Sequence, residues 1–327
     1  MTVIVTGKNA QDSLGRCLLS IENLAYRGQV EIIFVDGGSS DHTLDVAKSF
    51  QDVQVFVDTS GTPAGGRNLG LRAARGSICA FTDADCQVAP QWLEKAQERL
   101  ADENVGGVGG PLLPVAIDTF AGRLVYYGQS SLLGSAGSIQ ARFYPEVRDA
   151  RSISTSNGVF RRDVLARVGG FDESLRYCED YDLTVRVRGA GYRTVYDPSV
   201  VVFHEYDRTF TSFVFRMFRY GLGRASAMRK KRTTVFLPSI SGFGGCVVLL
   251  LLSALAATGH LPALVPLSLL ILYAAVVAAQ SFVVAIRKRD PTLLLVWITI
   301  VLGHTSYILG MFAGLIHPYT TLVRVRQ

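Results

Sequence analysis

The apolar residues divide the chain into two regions of different character. Three long runs near the C-terminus contain no Asp, Glu, Lys or Arg: residues 233–259, 261–286 and 292–323. Each run exceeds the roughly 20 residues that a helix needs to cross the hydrocarbon core of a bilayer. Helices buried in a soluble protein normally keep a polar face, and these runs have none. The pattern therefore predicts a membrane domain of about three transmembrane helices over residues 233–327.

Basic residues flank these runs and predict their orientation. Arg229-Lys230-Lys231-Arg232 precedes the first run, and Arg287-Lys288-Arg289 separates the second from the third. Lys and Arg are enriched in cytoplasmic loops, so both clusters are expected on that side. The N-terminus shows no basic region followed by a long apolar core, so no signal peptide is predicted. We expect a multi-pass cell-membrane protein with its N-terminal domain in the cytoplasm and Gln327 outside.

Residues 1–207 follow a different pattern, in which short β-branched runs alternate with mixed helical stretches. The predicted strands are Val3–Thr6, Glu31–Val35, Val53–Val57, Ile78–Thr82 and Thr194–Tyr196, with helices beginning near Ser13, Ser40, Gly65 and Pro90. This alternation predicts an α/β fold with a largely parallel sheet covered by helices. Ligands of such sheets bind outside the carboxyl ends of the strands, so polar residues at those ends are the first candidates for a site.

Composition and charge restrict the class of protein. Hydrophobic residues make up 49% of the 327 residues and charged residues 18%, as expected of a chain with membrane segments. The five cysteines form no C-x-x-C pair, which argues against a zinc knuckle or a disulfide framework. The net charge of +6 comes from Lys and Arg beside apolar runs, where lipid and phosphate explain them better than nucleic acid. A lipid bilayer is the predicted partner, and nucleic acid is not.

Two of the predicted strands end in carboxylates. Asp36 follows the apolar run 31–35 and precedes Gly37-Gly38, where the backbone can approach a ligand closely. Ser40 or Asp41 is expected to cap the next helix, but capping does not explain Asp36. Asp83 and Asp85 follow the run 78–82, and two such neighbouring carboxylates need a cation or donors between them.

These carboxylates suggest how a phosphorylated ligand is held. Oxygen ligands suit Mg²⁺ or Mn²⁺, which bind carboxylates together with substrate phosphates. Arg67, at the start of a predicted helix, supplies a cation where a diphosphate needs one, although an exposed arginine there is usually only solvated. Asp85 and Asp83 are therefore candidate metal ligands, and Asp36, Asp83 and Arg67 candidate donor-binding residues.

A third acidic group precedes the last predicted strand. Glu179, Asp180 and Asp182 follow Gly169-Gly170-Phe171-Asp172-Glu173 within a few residues. A helix N-terminus favours acidic side chains, and this explains Asp182 equally well. Transfer of a sugar to a hydroxyl group needs a carboxylate that accepts the proton, and Glu179 and Asp180 are the candidates for this catalytic role.

Taken together, these groups carry a resemblance to family 2 inverting glycosyltransferases of the GT-A fold. The similarity spans roughly residues 2–225 and extends to Arg67-Asn68, Asn157-Gly158, Arg161-Arg162, Gly169–Asp172 and Arg216-Met217-Phe218-Arg219-Tyr220. The last group is similar to the family's Q-x-x-R-W element, with Arg for Gln and Tyr for Trp. This departure argues against a processive polymerase. With its C-terminal helices, the chain looks most like the succinoglycan-type exopolysaccharide and glycolipid glycosyltransferases.

The resemblance implies roles for particular residues. Asp36 and Asp83 would hold the nucleoside, Asp85 the metal, and Asp180 would be the base. Arg219, with Arg216 beside it, would meet the diphosphate of a nucleotide sugar, for which UDP is the family default. His204 falls where related enzymes place a histidine near the metal, although a lone histidine at a strand end is more often structural.

Residues 208–232 mix aromatic and basic side chains, including Phe213, Phe218 and Arg224. Such a basic aromatic helix is expected to lie in the membrane interface, next to the head group of a lipid-linked acceptor. The resulting hypothesis is a metal-dependent, inverting hexosyltransferase. Two alternatives remain open: an enzyme that loads polyprenyl phosphate, whose ionised acceptor needs no base, and a non-catalytic membrane scaffold, which has no reason to keep all three acidic groups.

Overall fold

The computed structural model describes residues 1–135, 138–230 and 237–316, with the side chains of residues 230 and 237–243 excepted. Contacts divide the chain into two compact units. The first unit comprises residues 1–116 and 138–205, and the second comprises residues 117–137 and 206–327. The predicted boundary between residues 232 and 233, and the predicted position of Gln327, lie outside the described residues.

The first unit contains an α/β sheet. Its strands are β1 (Thr2–Gly7), β2 (Glu31–Asp36), β3 (Val53–Val57), β4 (Ile78–Asp83), β5 (Cys86–Val88), β6 (Val105–Gly109), β7 (Leu112–Pro114), β8 (Arg148–Asp149), β9 (Gly158–Arg161), β10 (Arg193–Tyr196) and β11 (Val202–His204). Its helices are α1 (Leu14–Glu22), α2 (Thr43–Lys48), α3 (Pro63–Ala73), α4 (Trp92–Leu100), α6 (Arg162–Val168) and α7 (Glu179–Gly189), with α5 in the second unit.

The described strands form two sheets. The larger has the order β3-β2-β1-β4-β9-β6-β10-β8, and the smaller has the order β5-β11-β7. Strands β3, β2, β1 and β4 are parallel, whereas β9 runs antiparallel to both β4 and β6. The α/β fold class and the five predicted strands are confirmed. The sheet is mixed rather than parallel throughout, because β9 lies between β4 and β6 and runs antiparallel to both, and β8 runs antiparallel to β10.

The hydrophobic pattern explains why strand β2 is buried within the sheet. Ile33, Phe34 and Val35 of β2 are almost completely buried, because helices cover both faces of the sheet. Helix α3 begins at Pro63, which suits a first helical position, and the Thr62 side chain accepts a hydrogen bond from the Gly65 amide. These local signals bring the carboxyl ends of β1, β2 and β4 to one edge.

The second unit is helical. It contains α5 (Phe120–Gln129), α8 (Phe210–Lys230), α9 (Leu237–Ala257), α10 (Leu264–Lys288) and α11 (Val296–Ile316). Among the described residues, two stretches are long and apolar enough to cross a membrane: Leu264–Lys288 and Pro291–Ile316. Residues 244–257 of α9 form a shorter apolar helix, so the first predicted span stays a prediction. These helices suggest membrane association.

Helices α8 and α11 pack closely through glycines. The amide carbonyl of Phe218 leaves no space for a side chain at Gly310, and that of Tyr307 leaves none at Gly221. Successive contacts advance together along both helices: Val214 with Ser306, Phe218 with Gly310, and Leu222 with Gly314. The two helices therefore run in the same direction. Gly310 and Gly314, expected to admit a neighbouring helix, contact α8.

Candidate active site

The predicted acidic residues lie at the carboxyl ends of neighbouring strands. In the sheet register, Gly7 of β1 pairs with Asp36 of β2, and Thr6 pairs with Asp83 of β4. Asp36 and Asp83 therefore stand on either side of the end of β1. This is the edge at which an α/β sheet binds its ligand.

The Asp36 carboxylate is buried and occupied by its own loop. One oxygen accepts hydrogen bonds from the amides of Gly38 and Ser39, at 3.0 and 2.9 Å, and the other accepts one from the Ser39 hydroxyl. Gly38 has a φ of 80°, a conformation that favours glycine, within the turn whose amides bond the carboxylate. Asp36 thus shapes the loop after β2, and its predicted contact with a nucleoside stays a prediction.

Asp83 is held by donors from three other segments. Its Oδ1 accepts hydrogen bonds from Arg67 Nη2 at 2.9 Å and Thr6 Oγ1 at 3.2 Å, and its Oδ2 accepts one from Ser156 Oγ at 2.6 Å. Burial raises the pKa of Asp83, but Arg67 and Ser156 outweigh burial and lower it below its usual value. The side chain is therefore an anion with most of its acceptor capacity already used.

Arg67 joins two of the predicted acidic groups. Its Nη1 donates to Glu179 Oε1 at 2.6 Å, while its Nη2 bonds Asp83. The side chain is buried, with 6% of the residue exposed. Both terminal nitrogens thus already bond carboxylates, so a contact with a diphosphate stays a prediction. Arg67 therefore bridges Asp83 and Glu179, which are far apart in sequence.

Glu179 and Asp180 open helix α7 beside this bridge. Burial raises the pKa of Glu179 to about 7, against the opposing charge of Arg67. Cys178, just before them, has a φ of 66°, which is rare for a side-chain-bearing residue and marks a strained turn. Asp180 is less buried than Glu179, and its role as the base stays a prediction. Asp182 instead bonds Arg186 one helical turn away, at 2.8 Å.

Asp85 and His204 form a second cluster. Asp85 lies in the turn between β4 and β5, and His204 ends β11, which pairs with β5. The Nε2 atom of His204 is 3.7 Å from Asp85 Oδ2. Cys86 joins them within 4.8 Å, but burial raises the pKa of its thiol far above its usual value, so it stays protonated. The Asp85 carboxylate suits either Mn²⁺ or Mg²⁺, whereas an imidazole nitrogen is a poor ligand for Mg²⁺, so Asp85 and His204 together fit Mn²⁺ better.

Arg216 and Arg219 belong to the second unit. Arg216 Nε donates to Asp207 Oδ2 at 2.6 Å, and its guanidinium lies 5.6 Å from the ring centroid of Tyr220. Arg219 is exposed on α8, and its Nε donates to the Phe215 carbonyl at 3.4 Å. Their proposed role towards a diphosphate stays a prediction.

Sequence reasoning missed several residues that position the site. Thr6 and Ser156 both bond Asp83, and Asn68 holds the loop before α7 by exchanging hydrogen bonds with the main chain of Phe171. Hydroxyl groups are too common in loops to mark such positions. Asn68 directly follows Arg67, so two neighbouring residues of α3 bond two sites near the start of α7: Arg67 bonds Glu179, and Asn68 bonds Phe171.

Comparison with known sequences identifies the family of this architecture. The profile of Glycosyl transferase family 2 matches residues 2–169. Glycosyltransferase AglE of Haloferax volcanii is 26% identical over 232 residues, which cover 68% of this chain and 72% of that protein. The succinoglycan biosynthesis protein ExoO of Rhizobium meliloti is 29% identical over 206 residues, which cover 61% of this chain and 58% of ExoO.

A solved structure supports the same fold. The mannosyltransferase PcManGT from Pyrobaculum calidifontis, solved in complex with GDP-Man and Mn²⁺, superposes with a TM-score of 0.60 at 22% identity. The superposition covers 94% of this chain and 86% of PcManGT. At this identity the likeness concerns the fold.

Proposed function

Because the chain belongs to glycosyl transferase family 2, we propose that it moves a sugar from a nucleotide-diphosphate donor to a hydroxyl group of a lipid-linked or membrane-associated acceptor. The observation that carries the proposal is the assembly of the acidic residues around one edge of the sheet. Asp83 and Glu179, from β4 and α7, share Arg67, and Asp85 lies next to His204. A scaffold without catalysis has no use for this arrangement.

The proposed reaction is a direct displacement. The acceptor oxygen forms a bond to the anomeric carbon of the sugar while the bond from that carbon to the diphosphate breaks. Asp180 accepts the proton of the acceptor hydroxyl, and the nucleoside diphosphate leaves with the electron pair of the broken bond. The sugar is transferred with inversion, since one displacement exchanges the two faces of the carbon.

The donor side combines a metal site with fixed polar groups. Asp85 and His204 would hold Mn²⁺ or Mg²⁺, and a bound divalent ion supplies neutralisation of the developing diphosphate charge. Asp36 and Asp83 border the position proposed for the nucleoside. We propose UDP as the nucleoside diphosphate of the donor. Because PcManGT was solved with GDP-Man, GDP-sugars are the alternative donors to test beside UDP-sugars.

The second unit supports the proposed acceptor. Its stretches Leu264–Lys288 and Pro291–Ile316 are long and apolar enough to cross a membrane, and the similar protein ExoO is a succinoglycan biosynthesis protein. An enzyme held at a bilayer meets acceptors that are held there too. We therefore propose inner-membrane association with the first unit on the cytoplasmic face, as a protein of polysaccharide or glycolipid synthesis.

The donor and metal sites are tested by ligand-induced stabilisation. A ligand that binds only the native state raises the thermal midpoint of the purified protein. UDP-sugars with Mn²⁺ should raise the midpoint more than UDP-sugars with EDTA, and Asp85→Asn should remove that difference. Asp45→Asn, which changes an exposed carboxylate on α2, should keep it. An Asp85→Asn protein that responds to Mn²⁺ like the parent would contradict the metal assignment.

The base is tested by separating binding from chemistry. Asp180→Asn keeps the shape of the side chain and removes its basicity, so turnover should fall by about 10²- to 10⁴-fold while donor-induced stabilisation is retained. Glu173→Gln removes an exposed carboxylate from the same loop and should leave turnover within a factor of about two. Normal turnover of Asp180→Asn would favour a phosphate acceptor, which is already ionised, over a hydroxyl.

A further inference from the structure

A group of basic and aromatic side chains lies at the same edge of the sheet as the candidate site, on strands that the proposed reaction does not use. Tyr196, the last residue of β10, pairs with Arg148 of β8. Strand β10 is parallel to β6, and β9 is antiparallel to both β6 and β4, so β10 ends at the edge where Asp83 ends β4. Because β8 is antiparallel to β10, the chain enters β8 from this edge.

Two arginines of this group lie against one tyrosine ring. The guanidinium carbon of Arg148 is 4.0 Å from the ring centroid of Tyr144, and that of Arg142 is 5.3 Å from it. The main-chain amide of Tyr144 donates to the Tyr196 hydroxyl at 3.1 Å, and the two rings pack edge to face. Tyr196 is fully buried, so the ring that carries both arginines is fixed to the sheet. We name Arg142, Tyr144 and Arg148 the arginine-tyrosine cluster.

The positive charge of the cluster is only partly balanced. Glu146, whose side chain is 78% exposed, lies 3.3 Å from Arg148. In the described part of the chain Arg142 forms no ion pair, and the nearby Asp149 pairs with Arg193 at 2.9 Å. A cation–π contact explains one guanidinium group on a ring. It does not explain two on the same ring, because like charges repel each other. An anion bound by both arginines would offset this repulsion.

Apolar side chains stand beside the two arginines. Phe143 follows Arg142, and Val147 precedes Arg148, and the two apolar residues are 60% and 44% exposed. Guanidinium groups bind phosphate oxygens through paired N–H groups. Exposed apolar side chains that lie together are typical of a surface that a ligand covers. A phosphate group attached to an apolar chain is the ligand that matches both features.

The same stretch of chain borders the helix that carries the proposed base. The main-chain amide of Ile153 donates to Thr184 Oγ1 at 3.1 Å, and Thr184 Oγ1 donates to the Asp180 carbonyl at 2.8 Å. In the sheet order, β10 is three strand spacings from β4, or about 14 Å. The cluster therefore lies apart from the donor-side carboxylates and on the side of α7.

We propose that Arg142 and Arg148 bind the phosphate or diphosphate that joins the sugar of the acceptor to its lipid, while Phe143 and Val147 contact the first part of the lipid chain. The proposal rests on the proposed function, since it names the acceptor class of the same transfer. It gives the arginines a binding role only, because this phosphate is not a reacting group. The acceptor is then a lipid-phosphate-linked sugar and not a neutral glycolipid.

The test measures binding with probes that separate phosphate from apolar chain. Full-length protein is purified in detergent, EDTA keeps metal from the Asp85 site, and thermal midpoints are recorded with geranyl diphosphate, inorganic diphosphate, geraniol and dihexanoylphosphatidylglycerol. Geranyl diphosphate should stabilise the protein most. The double variant Arg142→Gln/Arg148→Gln should bind it at least about tenfold more weakly, since charge-assisted hydrogen bonds are lost. Arg167→Gln, which removes an arginine 5.8 Å from the ring of Tyr192 just before β10, is the matched control and should bind like the parent.

Equal affinity of the double variant and the parent for geranyl diphosphate would overturn the proposal. Inorganic diphosphate or geraniol that stabilises the parent as strongly as geranyl diphosphate would overturn it too, because the site would then recognise only one of the two features. Equally tight binding of dihexanoylphosphatidylglycerol would assign the cluster to bulk bilayer lipid instead of an acceptor and would also overturn it.

Two further measurements keep these outcomes distinct. The single variants Arg142→Gln and Arg148→Gln, each expected to lose part of the affinity, replace the double variant if its midpoint without ligand shows that it does not fold. The response to UDP-sugars with Mn²⁺ is recorded on the same proteins. A parent that lacks this response would count against the proposed transfer, whereas a parent that shows it beside a double variant with full affinity for geranyl diphosphate would count against the cluster alone.

Discussion

Arg67 shows how one side chain organises the candidate site. It is buried between Asp83 and Glu179, at 2.9 and 2.6 Å. In the part of the chain that the structure describes, neither carboxylate forms an ion pair with another arginine. A buried charge costs several kcal/mol of desolvation, which its partners offset only while the geometry is kept. Each member of the cluster therefore depends on the others. The positions of the donor-side and acceptor-side acids are linked through a single guanidinium group.

Removing the guanidinium group should destabilise the protein strongly. Arg67→Met leaves two carboxylates without their shared cation, and the free energy of unfolding should fall by about 3–5 kcal/mol. Arg72→Met changes the next exposed arginine of α3, 64% of whose side chain is in solvent, and should alter that free energy by no more than about 0.5 kcal/mol. Thermal unfolding of both purified variants makes the measurement. Equal midpoints would mean that Arg67 is not a structural bridge.

The sequence predicts the acids of this cluster but not its connections. Asp36, Asp83 and Asp85 stand out because each follows an apolar strand, and strand ends are where such folds bind ligands. Arg67 is separated from Glu179 by 112 residues, and no local pattern links them. The sequence therefore places Asp36 and Asp83 at the right edge, whereas the partner of each side chain depends on where the fold places α3 and α7 on the sheet.

At the level of elements, glycines decide how α8 and α11 pack. Small residues let two helix backbones approach closely, and in apolar surroundings this packing supplies much of the association energy. The cationic residues of α8 are thereby held beside an apolar helix. The predicted position of α8 in a bilayer interface stays a prediction.

A methyl group at this seam should weaken it. The Cβ of Gly310→Ala would lie 2.1 Å from the Phe218 carbonyl oxygen, so the helices must separate, at a cost of about 1–3 kcal/mol. Gly245→Ala on α9 meets no described atom within 4 Å and is the matched control. The midpoint of thermal unfolding in detergent should fall for the first variant and hold or rise slightly for the second. An unchanged midpoint for Gly310→Ala would contradict the close packing.

Element prediction succeeds where the local pattern is strong. Strands β1 to β4 are apolar and bounded by polar turns, so alternation is enough to find them. Strand β6 contains three glycines in five residues, a composition that disfavours strands, and it is held by its neighbours β9 and β10. Strand β9 is only four residues long. Such strands depend on the rest of the sheet and leave little trace in the sequence.

For the whole molecule, the units are not consecutive in sequence. The first unit is interrupted by residues 117–137, so a cut after Glu205 separates these residues from the rest of the second unit. Leu124 is fully buried in a cluster with Val296 and Ile300, which such a fragment lacks. A division of the chain by composition alone, at residues 207 and 233, does not detect an insertion of this kind because α5 is too short to read as a membrane segment.

A truncated protein should reveal this dependence. A fragment of residues 1–205 exposes the apolar side of α5, and we expect it to require detergent or to aggregate. The same fragment with residues 117–137 replaced by a short Gly-Ser linker should be soluble and monodisperse in size-exclusion chromatography. Equal solubility of the two fragments would mean that the segment has no apolar surface to cover.

The same interruption sets an order of events during synthesis. Leu124 and the Thr299 side chain that bonds its carbonyl are separated by 175 residues. At about 5–20 residues per second, Leu124 is synthesised roughly 9 to 35 seconds before Thr299. During this interval the sheet can form around a segment that has no partner yet. The first helix of the second unit is thus made well before the helix that covers it, and the apolar side of α5 stays without its partner until α11 has been synthesised.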